Sequence, residues 1–171
     1  MEQPEPDRAA QVEKRLKERG WRLAVAESCT GGWLSHRLTN VPGSSACFLG
    51  GVIAYRNEVK ARLLGVREET LRRFGAVSPQ VAREMAEGIR RLLGADLALA
   101  ITGVAGPEPV EGQPVGRIYI ALAGPSGTWV RRITGGLHRI ENKELAVEAA
   151  LALLEAFLTG SPPPGEPAED P

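Results

Sequence analysis

The sequence predicts a single three-layer α/β/α domain built on a mixed, mostly parallel sheet of about five strands. Short apolar segments typical of buried strands alternate with segments of helical periodicity, as parallel strands with helical crossovers require. Two strand-like segments near the C-terminus are separated only by Pro-Ser-Gly, which favours one antiparallel hairpin within that sheet. The chain of 171 residues, 43% of them hydrophobic, is long enough for one core and short for two domains.

The first part of the chain is expected to form a helix, a strand and a second helix. Residues 7–20 place apolar side chains on one face among charges, the pattern of an amphipathic helix. The apolar segment 21–27 follows as a strand. Ser28 or Thr30 is then expected to cap a helix over about residues 31–38, because their hydroxyls can accept hydrogen bonds from its first N–H groups.

The middle of the chain predicts a second strand and three further helical segments. Residues 46–55 read as a buried strand interrupted by two glycines. Short helices are expected over 56–66 and 68–75. Ser78 and Pro79 have the residue types of a helix cap and first turn, and they open a longer helix that ends before Gly94.

The C-terminal part predicts three strands, one long loop and a last helix. Residues 95–103 form a buried strand that leads directly into a loop rich in glycine and proline, 104–116. The hairpin strands 117–124 and 128–135 follow. The last helix runs from about residue 140 to 158.

The domain is expected to span residues 7–159. The segment 160–171, which is rich in proline and lacks large apolar side chains, is expected to be a disordered tail.

Composition and charge exclude several classes of function. Lysine plus arginine and aspartate plus glutamate number 21 each, and no basic cluster of the kind that contacts phosphate backbones occurs, so no nucleic-acid partner is expected. No signal core or membrane-length apolar run occurs, so a cytoplasmic protein without a membrane partner is expected. The two cysteines and two histidines have no ligand-like spacing, and neither a disulfide framework nor a metal site is predicted.

Three loops should meet at one edge of the sheet. In open α/β sheets, ligands bind beyond the carboxyl ends of the parallel strands. The loops at 27–32, 55–60 and 102–112 would all lie there.

The first of these loops contains Ser28, Cys29, Thr30, Gly31 and Gly32 between a strand and a helix. Small residues at a helix N-terminus expose backbone N–H groups that suit a phosphate or carboxylate. The same residues could instead form only a tight, capped turn. The glycine spacing matches neither a P-loop nor a dinucleotide fingerprint.

The second loop contains Lys60, one of only four lysines in the chain. Unlike arginine, a desolvated lysine can lose its proton and act as a general base toward a hydroxyl nucleophile. Tyr55 and Arg56 precede it, and Ser44 and Ser45 lie in the turn before the strand. On the alternative interpretation Lys60 is a solvated surface residue and the serines bond only to their own turn.

Five segments together resemble the CinA C-terminal domain family: "AESCTGG", "GSSACFLGGVIAYRNEVKARLLGV", "GAVSPQVAREMAEG", "ADLALAITGVAGP" and "PVGRIYIALAG". The resemblance covers about residues 8–158, and stand-alone members of the family are nicotinamide-nucleotide amidohydrolases. It implies hydrolysis of nicotinamide mononucleotide to nicotinic acid mononucleotide and ammonia, in pyridine-nucleotide salvage, without a metal or other cofactor. It also implies a homo-oligomer, a dimer or a trimer.

The resemblance also implies roles for individual residues. Catalysis is assigned to Ser45, Tyr55, Lys60 and Ser28, and substrate binding to Thr30, Gly31, Gly32, Thr102, Gly103 and Arg139. Lys60 is expected to take the proton of a serine directly or through Tyr55, and Ser45 is favoured over Ser28 as that serine. Backbone N–H groups around 30–32 or 102–103 would hold the oxyanion or the phosphate.

Two segments depart from the family pattern, the loop at 107–113 and the entry to the last helix at 136–143. Two other functions stay open at this point. One is a non-catalytic nucleotide-binding or interaction module, since such domains also occur fused to other enzymes. The other is a hydrolase that uses Cys29 as its nucleophile.

Overall fold

A computed structural model describes residues 7–168 and contains one sheet in the strand order β2-β1-β3-β4-β5-β6. The strands β1, β2 and β3 are parallel, and β3 to β6 are antiparallel. The strands are β1 Leu23–Glu27, β2 Phe48–Ile53, β3 Leu97–Gly103, β4 Arg117–Gly124, β5 Gly127–Thr134 and β6 Glu166–Pro167. The helices are α1 Arg8–Arg19, α2 Trp33–Thr39, α3 Asn57–Leu64, α4 Glu68–Phe74, α5 Pro79–Leu93 and α6 Arg139–Thr159, and Ser44–Ala46 forms one 3₁₀ turn.

The sheet separates two apolar cores, which confirms the predicted α/β/α layers. Large side chains of β1 and β3, among them Val25 and Leu99, join the core beneath α1, α2 and α6. Alanines on the opposite face of the same strands, among them Ala26 and Ala98, join the core beneath α5. Because alanine is short, α5 lies close to the sheet and contacts five of its strands, β1 to β5. Both faces of the central strands are therefore buried, as is typical of parallel strands.

The helix α5 shows how a sequence pattern translates into packing. The hydroxyl of Ser78 accepts a hydrogen bond from the N–H of Val81 at 3.2 Å, so the predicted cap is present. Met85 and Ile89 are fully buried on the inner face. Leu92, which has the same spacing, is 52% exposed because the helix ends one residue later and extends past the sheet.

The segment after α6 corrects the predicted strand count and the predicted tail. Residues 166–167 pair antiparallel with β5 as a sixth strand. Arg131 Nε donates to the carbonyl of Pro164 at 2.8 Å, and Arg132 forms an ion pair with Glu166. Polar contacts therefore hold a segment that lacks large apolar anchors. Residues 169–171 of the predicted tail lie outside the described residues.

The start of α2 differs from the prediction of a Ser28 or Thr30 cap. Gly32 occupies the cap position with a φ of 102°, a conformation that favours glycine. The carboxylate of Glu27, at the end of β1, accepts hydrogen bonds from the N–H groups of Leu34 and Ser35 at 2.8 and 3.0 Å. A buried carboxylate from the preceding strand thus replaces the expected hydroxyl.

Within residues 7–168, neither a membrane-spanning helix nor a cluster of metal-binding side chains occurs. None of the helices within residues 7–168 combines the length and apolar character needed to cross a membrane. Within the same residues, no three histidine, cysteine, aspartate or glutamate side chains are grouped so that they could bind a metal ion.

Candidate active site

The three predicted loops meet around a pocket of about 270 Å³ at the carboxyl edge of the parallel strands. The loop after β1, the junction of β2 with α3, and the loop after β3 each contribute to its wall. The start of α6 adds Arg139. Among the residues expected from the sequence, the pocket is lined by Ser28, Tyr55, Lys60, Thr102, Gly103 and Arg139.

Ser28 and Lys60 contact each other at the base of this pocket. Lys60 is the fourth residue of α3, and helical side chains tilt toward the helix N-terminus, here toward the edge of the sheet. Its Nζ lies 3.0 Å from Ser28 Oγ, 2.8 Å from the carbonyl oxygen of Ala54 and 3.1 Å from that of Tyr55. Lys60 is 1% exposed and Ser28 8% exposed, so the protein shields both side chains from bulk water.

The three contacts of Lys60 fit either protonation state of its amine. As an ammonium it donates to Ser28 Oγ and to the carbonyls of Ala54 and Tyr55. As an uncharged amine it keeps two N–H bonds for the carbonyls, and its lone pair can accept the hydroxyl proton of Ser28. Burial lowers the pKa of Lys60 from 10.5 to about 8, an effect that the negative charge of Glu111 partly opposes. The site therefore makes a general base available near neutral pH, with a hydroxyl in contact with it.

Tyr55 and Arg139 form the outer rim of the pocket. The phenol of Tyr55 accepts a hydrogen bond from Arg139 Nη2 at 3.1 Å. The other guanidinium nitrogen of Arg139 donates to the carbonyl of Gly106. Tyr55 contacts Lys60 only through its main-chain carbonyl, so the direct proton path is the one that this geometry supports.

Thr102 supports the pocket wall from β3. Its hydroxyl donates to the carbonyl of Ala76, in the turn between α4 and α5, at 2.8 Å. The N–H of the same Ala76 donates to the carboxylate of Glu111 at 2.7 Å. Ala76 is thus held from both sides by segments that line the pocket.

Thr30, Gly31 and Gly32, which were expected to bind substrate, are not among the residues that line this pocket. Thr30 is buried, and its hydroxyl donates to Glu27 at 2.7 Å. The predicted anion site at the start of α2 is taken by Glu27, whose carboxylate already accepts the N–H groups that a phosphate would need. The sequence could have indicated this role of Glu27, because a carboxylate at the end of a buried strand requires several hydrogen-bond donors nearby.

Ser45, the serine preferred from the resemblance, lies at the opposite end of β2 from Lys60, and the geometry within this chain favours Ser28 instead. Ser45 is exposed in the 3₁₀ turn that precedes β2, whereas Tyr55 and Lys60 follow that strand. A six-residue strand separates the two ends by roughly 20 Å. Ser28 instead follows β1 in the same direction and ends beside the junction of β2 with α3.

The position of Cys29 argues against a cysteine nucleophile. Its side chain is buried, and burial raises the pKa of the thiol to about 11. Reactive cysteines need the opposite shift, since the thiolate is the nucleophile.

Asn142 is a supporting residue that the sequence analysis did not identify. It is buried in the first turn of α6, and its Nδ2 donates to the carbonyls of Ala105 and Gly136 at 2.9 and 3.0 Å. Its Oδ1 accepts the N–H of Gly136 at 2.9 Å. Asn142 thereby fixes the base of the loop after β3 and the entry to α6.

Comparisons with known proteins agree with this fold. A model of the CinA C-terminal domain matches residues 6–158. A CinA-like protein of Frankia casuarinae is 52% identical over 149 residues, which is 86% of this chain and 34% of the relative. A CinA-like protein of Desulfovibrio desulfuricans is 49% identical over 157 residues, 90% of this chain and 37% of the relative. The chain thus spans about a third of the length of these curated relatives.

Solved structures match over most of both chains. A CinA-superfamily protein of Klebsiella pneumoniae superposes with a TM-score of 0.87 at 37% identity, covering 90% of this chain and 97% of the other. One from Escherichia coli gives 0.86 at 32% identity, covering 88% of each chain. With both the sequence and the architecture matched over the whole pocket-bearing domain, the chain belongs to the CinA C-terminal domain family.

Proposed function

We propose that the chain is an amidohydrolase that converts nicotinamide mononucleotide to nicotinic acid mononucleotide and ammonia. The observation that supports a hydrolase is the 3.0 Å contact between Ser28 Oγ and Lys60 Nζ inside the pocket. Serine–lysine pairs of this kind activate a hydroxyl without histidine. The choice of substrate rests on the family resemblance carried by the segments that contain both residues.

The first half-reaction acylates Ser28. Its Oγ attacks the carboxamide carbon while the hydroxyl proton passes to Lys60 Nζ, and the carbonyl electron pair moves onto the oxygen. Backbone N–H groups beside the serine or at residues 102–103 are candidates to hold that oxyanion. When the carbon–nitrogen bond breaks, the Lys60 ammonium returns its proton to the departing nitrogen, and ammonia leaves.

The second half-reaction hydrolyses the ester. Water attacks the acyl carbon as Lys60 accepts one of its protons, and the bond from carbon to Ser28 Oγ then breaks. The serine oxygen recovers the proton from Lys60. The nucleotide is released as its carboxylic acid, which ionises to nicotinate and gives its proton to the released ammonia, and the enzyme is unchanged. Atoms and charges therefore balance without a cofactor.

The rim of the pocket suits an anionic substrate. The pocket of about 270 Å³ is close to the small end of ligand sites and can hold an aromatic amide, so the ribose phosphate would extend to the rim. Arg139 lies at that rim, and a guanidinium can bind phosphate through two hydrogen bonds.

We also propose that the chain forms a homo-oligomer through the free edge of β2. Leu49 and Ile53 on this edge strand are 38% and 53% exposed. Exposed apolar edge strands readily pair with another chain. Sedimentation should show an oligomer that Leu49→Lys weakens, and a wild-type chain that stays monomeric at micromolar concentration would contradict this proposal.

The test of the proposed function is ammonia release from nicotinamide mononucleotide by purified protein, with a matched pair of serine variants. Ser28→Ala should reduce kcat by about 10³-fold or more, because the attacking atom is lost. Ser45→Ala makes the same chemical change outside the pocket and should retain kcat. An inactive Ser45→Ala beside an active Ser28→Ala would overturn the assignment. Nucleotide binding without ammonia release would indicate a non-catalytic module.

A further inference from the structure

The loop between β3 and β4 forms part of the pocket wall and is held at three places. At its neck, the N–H of Gly116 donates to the carbonyl of Val104 at 2.8 Å. Beyond the neck, Asn142 and Arg139 hold the carbonyls of Ala105 and Gly106. The third contact lies at the tip of the loop, where Glu111 is bound to the turn between α4 and α5.

The tip is a two-residue hairpin turn. Val110 and Gln113 exchange backbone hydrogen bonds of 3.2 and 2.8 Å on either side of Glu111 and Gly112. Both turn residues have positive φ values, 50° and 76°, as a type I′ turn requires. This conformation is costly for a residue with a side chain such as Glu111, so the contact made by its carboxylate must compensate.

That contact ties the loop to the opposite side of the pocket. Glu111 Oε2 accepts the N–H of Ala76 at 2.7 Å, and Ala76 is itself held to β3 by Thr102. The carboxylate occupies the space above Gly75, where a Cβ would lie 2.5 Å from Oε2. The hydrogen bond between Glu111 and Ala76, called the tie below, can therefore form because residue 75 has no side chain.

Glu111 also stands between two cavities. It lines the pocket of about 270 Å³ that contains Ser28 and Lys60. It equally lines a groove of about 720 Å³ between α3 and α4, and Asn57 is the other residue shared by the two. The tie to Ala76 thus forms part of the wall that separates the pocket from the groove.

We propose that Glu111 is a positioning residue that closes the catalytic pocket and places a negative charge on the wall facing Lys60. Its catalytic consequence rests on the function proposed above, whereas the tie and the charge do not. The titratable side chains that share the pocket with Lys60 are Cys29, Tyr55, Glu108, Glu111 and Arg139. Of these, Cys29 and Glu111 can raise the pKa of Lys60 against the effect of burial, and Glu111 is the one that is charged near pH 8, because burial raises the pKa of the Cys29 thiol to about 11.

The two functions of Glu111 can be separated by substitution. Glu111→Gln keeps an oxygen that can accept the N–H of Ala76 but removes the charge, whereas Glu111→Ala removes both. Glu69→Gln, an exposed change on α4 that lines neither cavity, controls for the loss of one negative charge.

Hydrogen exchange tests the tie. Amide exchange in residues 107–113 should accelerate roughly tenfold or more in Glu111→Ala, the expected effect of losing a charge-assisted hydrogen bond, and should stay close to wild type in Glu111→Gln. Unchanged exchange in Glu111→Ala would overturn the proposed tie.

NMR of labelled lysine side chains tests the charge without relying on turnover. The chain has four lysines, so the Lys60 signal can be assigned with a Lys60→Met variant. The titration midpoint of Lys60 should fall by roughly half a unit to one unit in Glu111→Gln and stay unchanged in Glu69→Gln. An unchanged midpoint in Glu111→Gln would overturn the proposed charge effect.

Kinetics complete the test if the chain releases ammonia. KM should rise severalfold in Glu111→Ala and be restored in Glu111→Gln, while the lower limb of the pH profile moves to lower pH in both variants. Inactivity of the wild-type chain would contradict the proposed function and leave the exchange and NMR outcomes to decide on Glu111.

Discussion

At the scale of single residues, the contact of Lys60 with Ser28 determines what the pocket can do. Lys60 could be singled out in the sequence because it is one of four lysines and follows a segment predicted to be a buried strand, although β2 is an edge strand with one exposed face. The sequence offers two serines, Ser28 and Ser45, as its partner. Lys60 and Ser28 are 32 positions apart, and only the parallel register of β1 and β2 decides that Ser28, and not Ser45, arrives beside the amine.

Substitution of Lys60 by arginine should remove the base while keeping a cation. Lys60→Arg is expected to lower kcat by about 10²-fold or more, because guanidinium does not give up its proton at usable pH. The wild-type kcat/KM should rise tenfold per pH unit below a pKa of about 8 and level off above it. Steady-state ammonia release between pH 6 and 9.5 measures both effects, and retained kcat in a folded variant would exclude Lys60 as the base.

Arg139 offers a second test at this scale. Arg139→Ala should raise KM for nicotinamide mononucleotide at least tenfold, and much less for its riboside, because only the nucleotide carries the phosphate. The variant also loses the contacts with Tyr55 and Gly106. That loss should raise KM equally for both substrates. Equal losses for the two substrates would therefore assign Arg139 a purely structural role.

At the scale of elements, apolar periodicity was enough to predict the helices and five of the strands. It could not predict β6, because that strand is held by arginine side chains of β5 and not by apolar burial. It also misjudged the start of α2, since a hydroxyl was expected where the carboxylate of Glu27 serves. Both errors concern polar groups whose partners lie on another element.

The close packing of α5 against α3 gives a prediction for two glycines of the same region. A Cβ on Gly88 would lie 1.8 Å from the carbonyl oxygen of Leu64, so Gly88→Ala must separate the two helices. We expect a loss of roughly 3 kcal/mol or more in the free energy of unfolding.

Gly94→Ala is the matched control for that change. Its Cβ would meet nothing within 4 Å, and only the φ of 64° opposes it, at a cost of about 1 kcal/mol. Urea denaturation measures both variants. Equal losses would show that the α3–α5 contact relaxes without cost.

At the scale of the whole molecule, the buried amine makes global stability depend on pH. The folded state lowers the pKa of Lys60 from 10.5 to about 8, so between these values the unfolded chain binds more protons than the folded one. Stability therefore rises with pH across this window, by up to about 3 kcal/mol, since each pKa unit corresponds to about 1.4 kcal/mol.

The measurement is the difference in unfolding free energy between the wild type and Lys60→Met. This difference should move in favour of the wild type as the pH rises from 8 to 10.5, and it should be flat below 8, where both states are protonated. A difference that does not change with pH would mean that Lys60 keeps its ordinary pKa in the folded chain.

The central place of β1 in the sheet also determines when the pocket can form during synthesis. β1 pairs with β2 on one side and with β3 on the other, and Ser28 N donates to the carbonyl of Ile101. After Lys60 has been synthesised, 43 further residues must follow before β3 is complete at Gly103. Such long-range pairing is slow and leaves apolar strands exposed in the meantime. Incomplete chains that leave the ribosome before residue 103 has been added should therefore be aggregation-prone, although they already contain both Ser28 and Lys60.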